Sequence, residues 1–378
     1  MRVALSFPGC HRQGGVERVV YECARHLAAR EHQVTVFADV WEADGPSSIR
    51  YRRVPVRRHP WFLRGRSYLR ACQEQVRSAS YDVLNTHGCV CPEGGVHWVH
   101  SLHKAWLERS RGYRPALSAA GLRQRLNPAH RSLLAMEERH FAGRNYQRII
   151  AVSPRVRDDL GRLYDVSPDD VVVISSGFSP AEFNPGRRAH QRAEMRRRLG
   201  LGPDHVALLF VANELERKGF STILAAMRQL GRADLRLLVA GRVSPELVHG
   251  QAREFGLAGQ VRALGPSRDV GALHAAGDLL VLPTQYEAFC LTILEALGSG
   301  LPVVTSSVPG AGDAIRPGVN GALVDDPTSG EELAAALAPL LRPDAREALS
   351  ANAPGTVEAY RWPSVLRRYE QVLLEHAR

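Results

Sequence analysis

The chain has 378 residues, a net charge of +10 and the composition of a globular protein, 44% hydrophobic and 23% charged. This length predicts two domains of roughly 150 to 200 residues each. No apolar run approaches the ~18 residues that span a bilayer, and the short apolar run at the N-terminus is unlike a secretory signal. The six cysteines follow no disulfide framework, so we expect a reducing, cytoplasmic setting.

Strand and helix patterns alternate along the first half of the chain. An amphipathic pattern predicts a helix over residues 16–29 and another over 132–141. Short apolar runs predict strands over residues 2–7, 32–38, 82–88, 96–101 and 148–153. Each of the last three predicted strands ends in polar residues.

The second half repeats this alternation. Strands are predicted over residues 205–212, 235–241, 260–265, 278–284 and 301–307, with a helix over 220–230. The pattern predicts an α/β protein with two Rossmann-like, doubly wound domains facing across a cleft, residues 1–170 and 171–360. Residues 361–378 are predicted to form a helix that returns to the first domain. Ligands of such sheets bind at the carboxyl ends of the strands.

Positive charge is concentrated in two stretches. One runs from Arg50 to Arg70 and holds eight arginines and no acidic residue, and the other runs from Trp106 to Arg131. Both are interleaved with apolar or aromatic residues, which fits contact with an anionic membrane surface or an anionic acceptor. Solvated, arginine-rich loops are the alternative interpretation.

The segment TQYEAFCLTILEALGSG (residues 284–300) carries two glutamates at a predicted strand-to-helix loop. The helix is predicted to start near Thr292, and its free amides favour an anion such as a phosphate. Glu287 and Glu295 flank that position and are suited to accept from sugar hydroxyls at the two ends of a diphosphate. Two surface glutamates on an amphipathic helix are the alternative.

A second motif, FVANELERKGF (residues 210–220), joins a predicted strand to a predicted helix. It places Arg217 and Lys218 at the carboxyl end of that strand. Two adjacent cations there would bind a diphosphate and offset the charge that develops as it leaves. Lysine and arginine together number 49, and two of these are lysines, so Lys218 is conspicuous.

The segments ERKG, VAG, VRALG and YEAFCLTILEALGSGLPVV, with GGVERVV near the N-terminus, occur in a family-specific order. The chain resembles the retaining GT-B glycosyltransferases of family 4 (group 1) over nearly its whole length, most strongly over residues 206–321. The resemblance implies that Glu295 holds the ribose, Glu287 the donor sugar, and Arg217 with Lys218 the diphosphate. His100 matches a family histidine that points at the donor sugar. The resemblance also implies further donor contacts, at Gly14, Gly15, Leu264, Gly265, Ala288, Phe289, Cys290, Leu291 and Thr292.

Three departures from the family pattern border the sugar pocket. Ala212-Asn213 replaces a common Gly-Arg, Ala288 and Cys290 flank Phe289 where glycines are usual, and Ser-Gly-Phe at residues 176–178 replaces Asn-Gly-Val. The identity of the donor sugar therefore does not carry over from the family.

The family resemblance implies transfer of a hexose-type sugar from a nucleoside diphosphate to a hydroxyl, with retention of the anomeric configuration. UDP is the preferred choice for this nucleoside diphosphate. We expect no cofactor and no divalent metal ion, since no Asp-x-Asp lies near either pocket. The predicted acceptor is a glycolipid, a lipopolysaccharide-type molecule or another glycan, and the enzyme would be cytoplasmic or peripheral on the inner face of the membrane. A small-molecule natural product is the alternative acceptor, and an epimerase or phosphorylase of the same fold is a further alternative.

Zinc binding and nucleic-acid binding are two other functions that parts of the sequence suggest. Residues 87–103 hold a Cys/His cluster that could form a zinc site, although its spacing fits no standard finger. Its members are His87, Cys89, Cys91, His97, His100 and His103. A basic chain could also bind nucleic acid, but no recognisable nucleic-acid module is present, so no such partner is expected.

Overall fold

The computed structural model describes residues 1–42, 46–113 and 119–378. These residues form two compact units. The first unit is Met1–Ser176 with Trp362–Arg378, and the second is Gly177–Arg361.

The described residues contain fifteen strands and fourteen α-helices. The strands are β1 (Arg2–Ser6), β2 (Gly9–Cys10), β3 (Gln33–Ala38), β4 (Val40–Trp41), β5 (Ile49–Arg53), β6 (Val83–His87), β7 (Val96–Val99), β8 (Arg148–Ala151), β9 (Val171–Val173), β10 (Val206–Val211), β11 (Leu235–Ala240), β12 (Val261–Gly265), β13 (Leu279–Leu282), β14 (Val303–Ser306) and β15 (Gly321–Val324). The helices are α1 (Val16–Ala29), α2 (Arg64–Arg77), α3 (His103–Tyr113), α4 (Ala119–Leu126), α5 (Pro128–Phe141), α6 (Pro154–Tyr164), α7 (Pro185–Arg198), α8 (Phe220–Leu230), α9 (Pro245–Glu254), α10 (Val270–Ala276), α11 (Leu291–Gly298), α12 (Gly330–Leu337), α13 (Pro343–Thr356) and α14 (Trp362–Glu375).

Each unit is built on one parallel sheet. The first has the strand order β5-β3-β1-β6-β7-β8-β9, and the second has the order β12-β11-β10-β13-β14-β15. In both, the chain enters at a middle strand, builds one side of the sheet, and returns to build the other. This is the order of doubly wound nucleotide-binding sheets, so the predicted α/β class with two doubly wound sheets is confirmed.

The strands run parallel because the chain crosses back over the sheet between them, mostly through helices, and these helices cover the sheet. All four residues of β13 are buried, which requires apolar packing on both faces. By contrast, the edge strand β5 buries Ile49 and exposes its three arginines. A strand with one neighbour tolerates such charges, which explains why this strand is not evident within the arginine-rich sequence.

The last helix, α14, packs in the first unit. Trp362 and Tyr369 lie in the same apolar core as Val20. The carboxylate of Glu370 accepts a hydrogen bond from His32 Nε2 at 2.9 Å, which ties the helix to the loop before β3. The prediction that the C-terminal helix returns to the N-terminal domain is therefore confirmed.

Candidate functional site

The second sheet changes winding direction between β10 and β13, and two loops meet at this point. The loop after β10 ends at α8, and the loop after β13 ends at α11. Gln285 N donates to Arg217 O at 2.9 Å, and Gln285 Nε2 donates to Glu216 O at 3.1 Å. Such switch points form the ligand crevice of open α/β sheets.

Gly219 allows the two loops to touch. Its φ is +76°, and a Cβ at this position would lie 2.3 Å from the carbonyl oxygen of Pro283. A side chain would therefore push the loops apart. The glycine of the ERKG motif is explained by this close approach.

The two loops carry a buried cluster of charges. Arg217 Nη1 donates to Glu287 Oε1 at 2.7 Å and to the carbonyl of Tyr286 at 2.7 Å. Lys218 Nζ donates to the same Glu287 oxygen, and its side chain is 11% exposed. The cations predicted from the sequence are thus brought together with one of the two predicted glutamates.

Both cations remain charged in this environment. Burial opposes the charge on Arg217, but the carboxylates of Glu287 and Glu214 outweigh it and raise the pKa of the guanidinium. Burial likewise opposes the charge on Lys218, while the neighbouring Cys290 sulfur and the Glu287 carboxylate raise the pKa of the amine. Two fixed positive charges in a water-poor site interact strongly with a phosphate.

Glu287 has two oxygens, and both cations contact the same one. Oε1 accepts from Arg217 and from Lys218, so Oε2 accepts neither of these bonds. One carboxylate can therefore hold the two cations and still present an oxygen to a sugar hydroxyl.

Helix α11 starts beside this cluster without a side-chain cap. Its N-cap residue, Cys290, makes no capping hydrogen bond, and its Sγ lies 3.8 Å from Lys218 Nζ. The N-cap residue of the neighbouring switch-point helix α8 is Gly219, which also provides no side-chain cap. In contrast, four other helices of this unit are capped by the side chains of Asn184, Ser244, Asp269 and Ser329. The first amides of α11 are thus suited to an anion.

A third loop, which the sequence interpretation missed, supports the glutamate turn. Gly310 O accepts from Cys290 N at 3.0 Å, and Gly310 N donates to Asp313 at 3.1 Å. Gly310 has φ +88°, and a Cβ here would lie 2.6 Å from Glu287 O. The sequence signal for this loop is the segment VPGAG (residues 308–312), which follows β14 after one residue and is typical of a tight turn.

The change Gly310→Ala should disturb the glutamate turn itself. We expect the free energy of unfolding to fall by about 2–4 kcal/mol, from left-handed backbone strain and the forced contact. Gly318→Ala is a matched control, because Gly318 has φ +76° and an added Cβ would meet no atom within 4 Å. The control should lose only about 1–2 kcal/mol. Urea unfolding measures the stability of both variants, and equal losses would contradict the role of Gly310.

The remaining predicted donor residues of the second unit lie around the same edge. Glu295 is half-buried in α11, and its carbonyl accepts from Ser299 Oγ at 2.8 Å. Leu264 and Gly265 end β12, two strands from β10, and Gly265 O accepts from Gly241 N at 2.9 Å. The others form the turn and the start of α11, with Ala288 and Cys290 buried and Phe289, Leu291 and Thr292 half-buried.

Three predicted residues belong to the first unit. Gly14 and Gly15 are exposed in the loop before α1. His100 follows β7, and its Nε2 lies 3.0 Å from His87 Nδ1. Burial lowers the pKa of His100 to about 3, so this imidazole is neutral at physiological pH.

A buried relay determines which nitrogen of His100 carries the proton. Asn85 Nδ2 donates to Val96 O at 2.9 Å, so its Oδ1 accepts from Tyr369 and from His87 Nε2, each at 2.8 Å. His87 Nδ1 must then accept, and His100 Nε2 donates to it. His100 Nδ1 is left as the acceptor nitrogen. The sequence contained His87 as a candidate but gave no signal for Asn85 or Tyr369.

The Cys/His cluster does not assemble as a zinc site. His97 lies 2.6 Å from Thr86 Oγ1, Cys91 donates to the carbonyl of Ser6 at 3.1 Å, and His103 lies 2.9 Å from His130. In the part of the chain that the structure describes, no group of three or more His, Cys, Asp or Glu side chains is placed to hold a metal ion. The zinc interpretation is therefore not supported.

Much of the first arginine-rich stretch, residues 50–70, forms regular secondary structure. It contributes β5 and the start of α2, where Tyr68 is buried and donates to Phe37 O at 2.8 Å. Tyr51 stacks on Trp41 with ring centroids 5.2 Å apart. Trp61, by contrast, is 58% exposed.

The second stretch forms most of α3 and all of α4, and its residues 114–118 lie outside the described residues. On α4, Leu122 is 54% and Leu126 is 73% exposed. Over the described ranges, the helices are too short or too polar to cross a bilayer.

Comparison with known proteins bears on the whole chain. The family described as "Glycosyltransferase Family 4" matches residues 13–182, and the family described as "Glycosyl transferases group 1" matches residues 191–356. The D-inositol 3-phosphate glycosyltransferase of Thermobispora bispora is 30% identical over 420 aligned residues, covering 98% of this chain and 92% of that protein. The lipopolysaccharide glucosyltransferase WaaG of Escherichia coli K12 is 26% identical over 323 residues, which cover 85% of this chain and 84% of that protein.

Solved structures share the fold. A crystal structure of WaaG superposes with a TM-score of 0.79 at 24% identity, covering 98% of this chain and 99% of that one. HepE of Anabaena, solved with UDP and glucose, superposes with a TM-score of 0.74 at 18% identity. The superposition covers 99% of this chain and 100% of that one.

Proposed function

Because the chain belongs to the group 1, family 4 glycosyltransferases, we propose that it transfers a hexose from UDP to an acceptor hydroxyl with retention of configuration. The acceptor is a glycolipid, a lipopolysaccharide-type molecule or another glycan. The reaction needs no cofactor and no divalent metal ion.

The observation that carries this proposal is the buried cluster of Arg217, Lys218 and Glu287 beside the uncapped start of α11. The diphosphate lies against the two cations and the amides of Leu291 and Thr292. UDP as the leaving group is supported by HepE, which shares the fold and was solved with UDP and glucose.

The charge arrangement accounts for the chemistry. Cleavage of the anomeric bond leaves an oxocarbenium-like sugar and a phosphate that gains negative charge. Arg217, Lys218 and the start of α11 stabilise that charge, which is the task a divalent ion would otherwise perform. The departing phosphate oxygen takes the proton of the acceptor hydroxyl as that hydroxyl attacks from the same face.

The sugars are held by carboxylates. Glu287 Oε2 accepts from a donor-sugar hydroxyl, and Glu295 accepts from the ribose.

The change Glu295→Ala should weaken UDP binding while the protein stays folded. Loss of charged hydrogen bonds to the ribose is worth about 1.5–3 kcal/mol, or about 10–150-fold in Kd. Titration calorimetry with UDP measures this effect, and Glu347→Ala, an exposed glutamate on α13, is the control. Unchanged UDP affinity in Glu295→Ala would remove the ribose assignment.

The function itself is tested by a thermal-shift screen of nucleoside diphosphates and their sugars. We expect UDP and a UDP-hexose to raise the melting temperature more than GDP does. The anomeric configuration of the product, measured by NMR, then tests retention. An inverted product would refute the proposed stereochemistry.

We also propose contact with an anionic membrane surface through α4. Leu122 and Leu126 are one helical turn apart and exposed, and Arg123 and Arg125 beside them are exposed. Apolar side chains flanked by basic ones are typical of helices that lie on anionic membranes.

The double change Leu122→Ser with Leu126→Ser should reduce binding to phosphatidylglycerol vesicles at least about tenfold, since two buried leucines are lost. Co-sedimentation measures this binding. Leu247→Ser is the control, because Leu247 is also exposed (60%) but belongs to the second unit. Equal binding by the double variant and the control would contradict the role of α4.

A further inference from the structure

The first unit contains an apolar cavity of about 360 Å³ at the carboxyl edge of its sheet. Phe7, directly after β1, lines it together with Phe62, Tyr68 and Met136. A cavity of this size and lining is of the kind that binds small apolar groups.

A second cavity, of about 650 Å³, adjoins the apolar one and is basic. Val56 lines both cavities. Three arginines line the second, Arg57, Arg66 and Arg70, against one acid, Glu74. The first unit thus places a positively charged cavity beside an apolar one.

The wall of the apolar cavity holds a polar group that the fold does not use. Ser132 is 6% exposed, and its Oγ has no hydrogen-bond partner among the described residues. A buried hydroxyl without a partner is costly, and an oxygen atom on a ligand would satisfy it.

We infer that the two cavities together form the acceptor subsite for an acylated, anionic acceptor. An acyl chain occupies the apolar cavity, Ser132 Oγ donates to its ester or amide carbonyl, and a phosphate or carboxylate lies against Arg57, Arg66 and Arg70. This inference rests on the proposed function, since it names the acceptor class of that reaction.

Other acceptors use only part of this arrangement. A small polar anion such as an inositol phosphate would pair with the arginines and leave the apolar cavity without a function. An uncharged ring compound would fill the apolar cavity and make no use of the arginines. An amphiphile with both a chain and a negative charge satisfies both cavities and Ser132.

Short-chain phosphatidylglycerol, used as monomers below its micelle concentration, tests the inference. We expect dihexanoyl-phosphatidylglycerol to bind and dioctanoyl-phosphatidylglycerol to bind more tightly, because each buried methylene adds roughly fourfold to affinity. Glycerophosphoglycerol, inositol 3-phosphate and 4-methylumbelliferone should each bind at least about tenfold more weakly. Calorimetry on the full chain measures all five compounds.

Variants locate the site. Ala129 lines the apolar cavity from α5, so Ala129→Trp should fill it and weaken lipid binding at least about tenfold. Ala135→Trp is the matched control, because Ala135 is exposed on the same helix and does not line the cavity. Arg66→Ala combined with Arg70→Ala should weaken binding of both lipids equally, because the acyl chains do not contact these arginines.

Several results would overturn the inference. One is an affinity for glycerophosphoglycerol, the headgroup, or for 4-methylumbelliferone that equals the affinity for the short-chain lipids. Another is lipid binding that Ala129→Trp leaves unchanged. Binding only to vesicles, lost in the α4 double variant, would likewise assign the lipid to the membrane surface instead. UDP titration on the same sample separates this failure from failure of the proposed function: retained UDP binding without lipid binding overturns the acceptor subsite alone.

Discussion

The change Lys218→Met should lower kcat by about 10²–10³-fold with the fold intact, because one fixed positive charge at the leaving diphosphate is removed. The effect should fall on the chemical step, since the charge of the diphosphate rises as the anomeric bond breaks. Arg217 still contacts Glu287 at 2.7 Å, so the carboxylate keeps a partner in this variant. Steady-state kinetics with a UDP-hexose, together with thermal unfolding, measure the result.

The only other lysine in the sequence provides the control. Lys104 lies in the first unit, where its Nζ is 3.4 Å from the carbonyl of Leu163, and Lys104→Met makes the same chemical change away from the cluster. We expect this control to keep its kcat within about threefold, a free-energy difference below about 1 kcal/mol. A similar loss of kcat in both variants, or none in Lys218→Met, would show that Lys218 does not act on the leaving group.

The change Glu287→Gln should affect stability and activity together. It leaves Arg217 and Lys218 buried without their shared carboxylate, and loss of one partner of a buried ion pair costs about 3–5 kcal/mol. We also expect kcat/KM for the UDP-hexose to fall about 10–150-fold, from the lost charged hydrogen bond to the donor sugar. Urea unfolding with and without UDP separates the two effects, because bound UDP should restore part of the lost stability by neutralising the cations.

Glu214→Gln is the matched control for this change. Glu214 contacts the same guanidinium at 3.2 Å, but its side chain is 41% exposed. Removal of an exposed partner should cost no more than about 1 kcal/mol. Equal destabilisation by Glu214→Gln and Glu287→Gln would mean that burial does not distinguish the two carboxylates, and the special role of Glu287 would be lost.

The cluster explains why the enzyme tolerates buried charge in an apolar edge of the sheet. Lys218 and Glu287 neutralise each other while the loops stay packed through Gly219 and Gly310. The proposed diphosphate would contact cations whose positions are already determined by the fold. Such preorganisation is what makes electrostatic stabilisation of a leaving group effective.

Local patterns were sufficient to predict most of the architecture. Helix α8 begins and ends at the predicted residues, and β10 lies inside the predicted strand at 205–212. Long apolar runs specify buried strands because parallel strands are covered on both faces. The short strands β9 and β15 and the charged edge strand β5 were missed, since three to five residues with few buried side chains carry little periodic signal.

The sequence by itself determined the alternating α/β class and the two-domain organisation, and it predicted residue types suited to holding a diphosphate between sugars. Only the tertiary structure decided which of these residues touch: Lys218 and Glu287 are 69 positions apart, and the switch in strand order brings their loops together. It also revealed Gly310 beneath the glutamate turn, and the path from Tyr369 through Asn85 to His100, whose ends are distant in the chain. The physical reason is that periodicity records which face of an element is buried, whereas contacts between loops depend on how the sheet is wound.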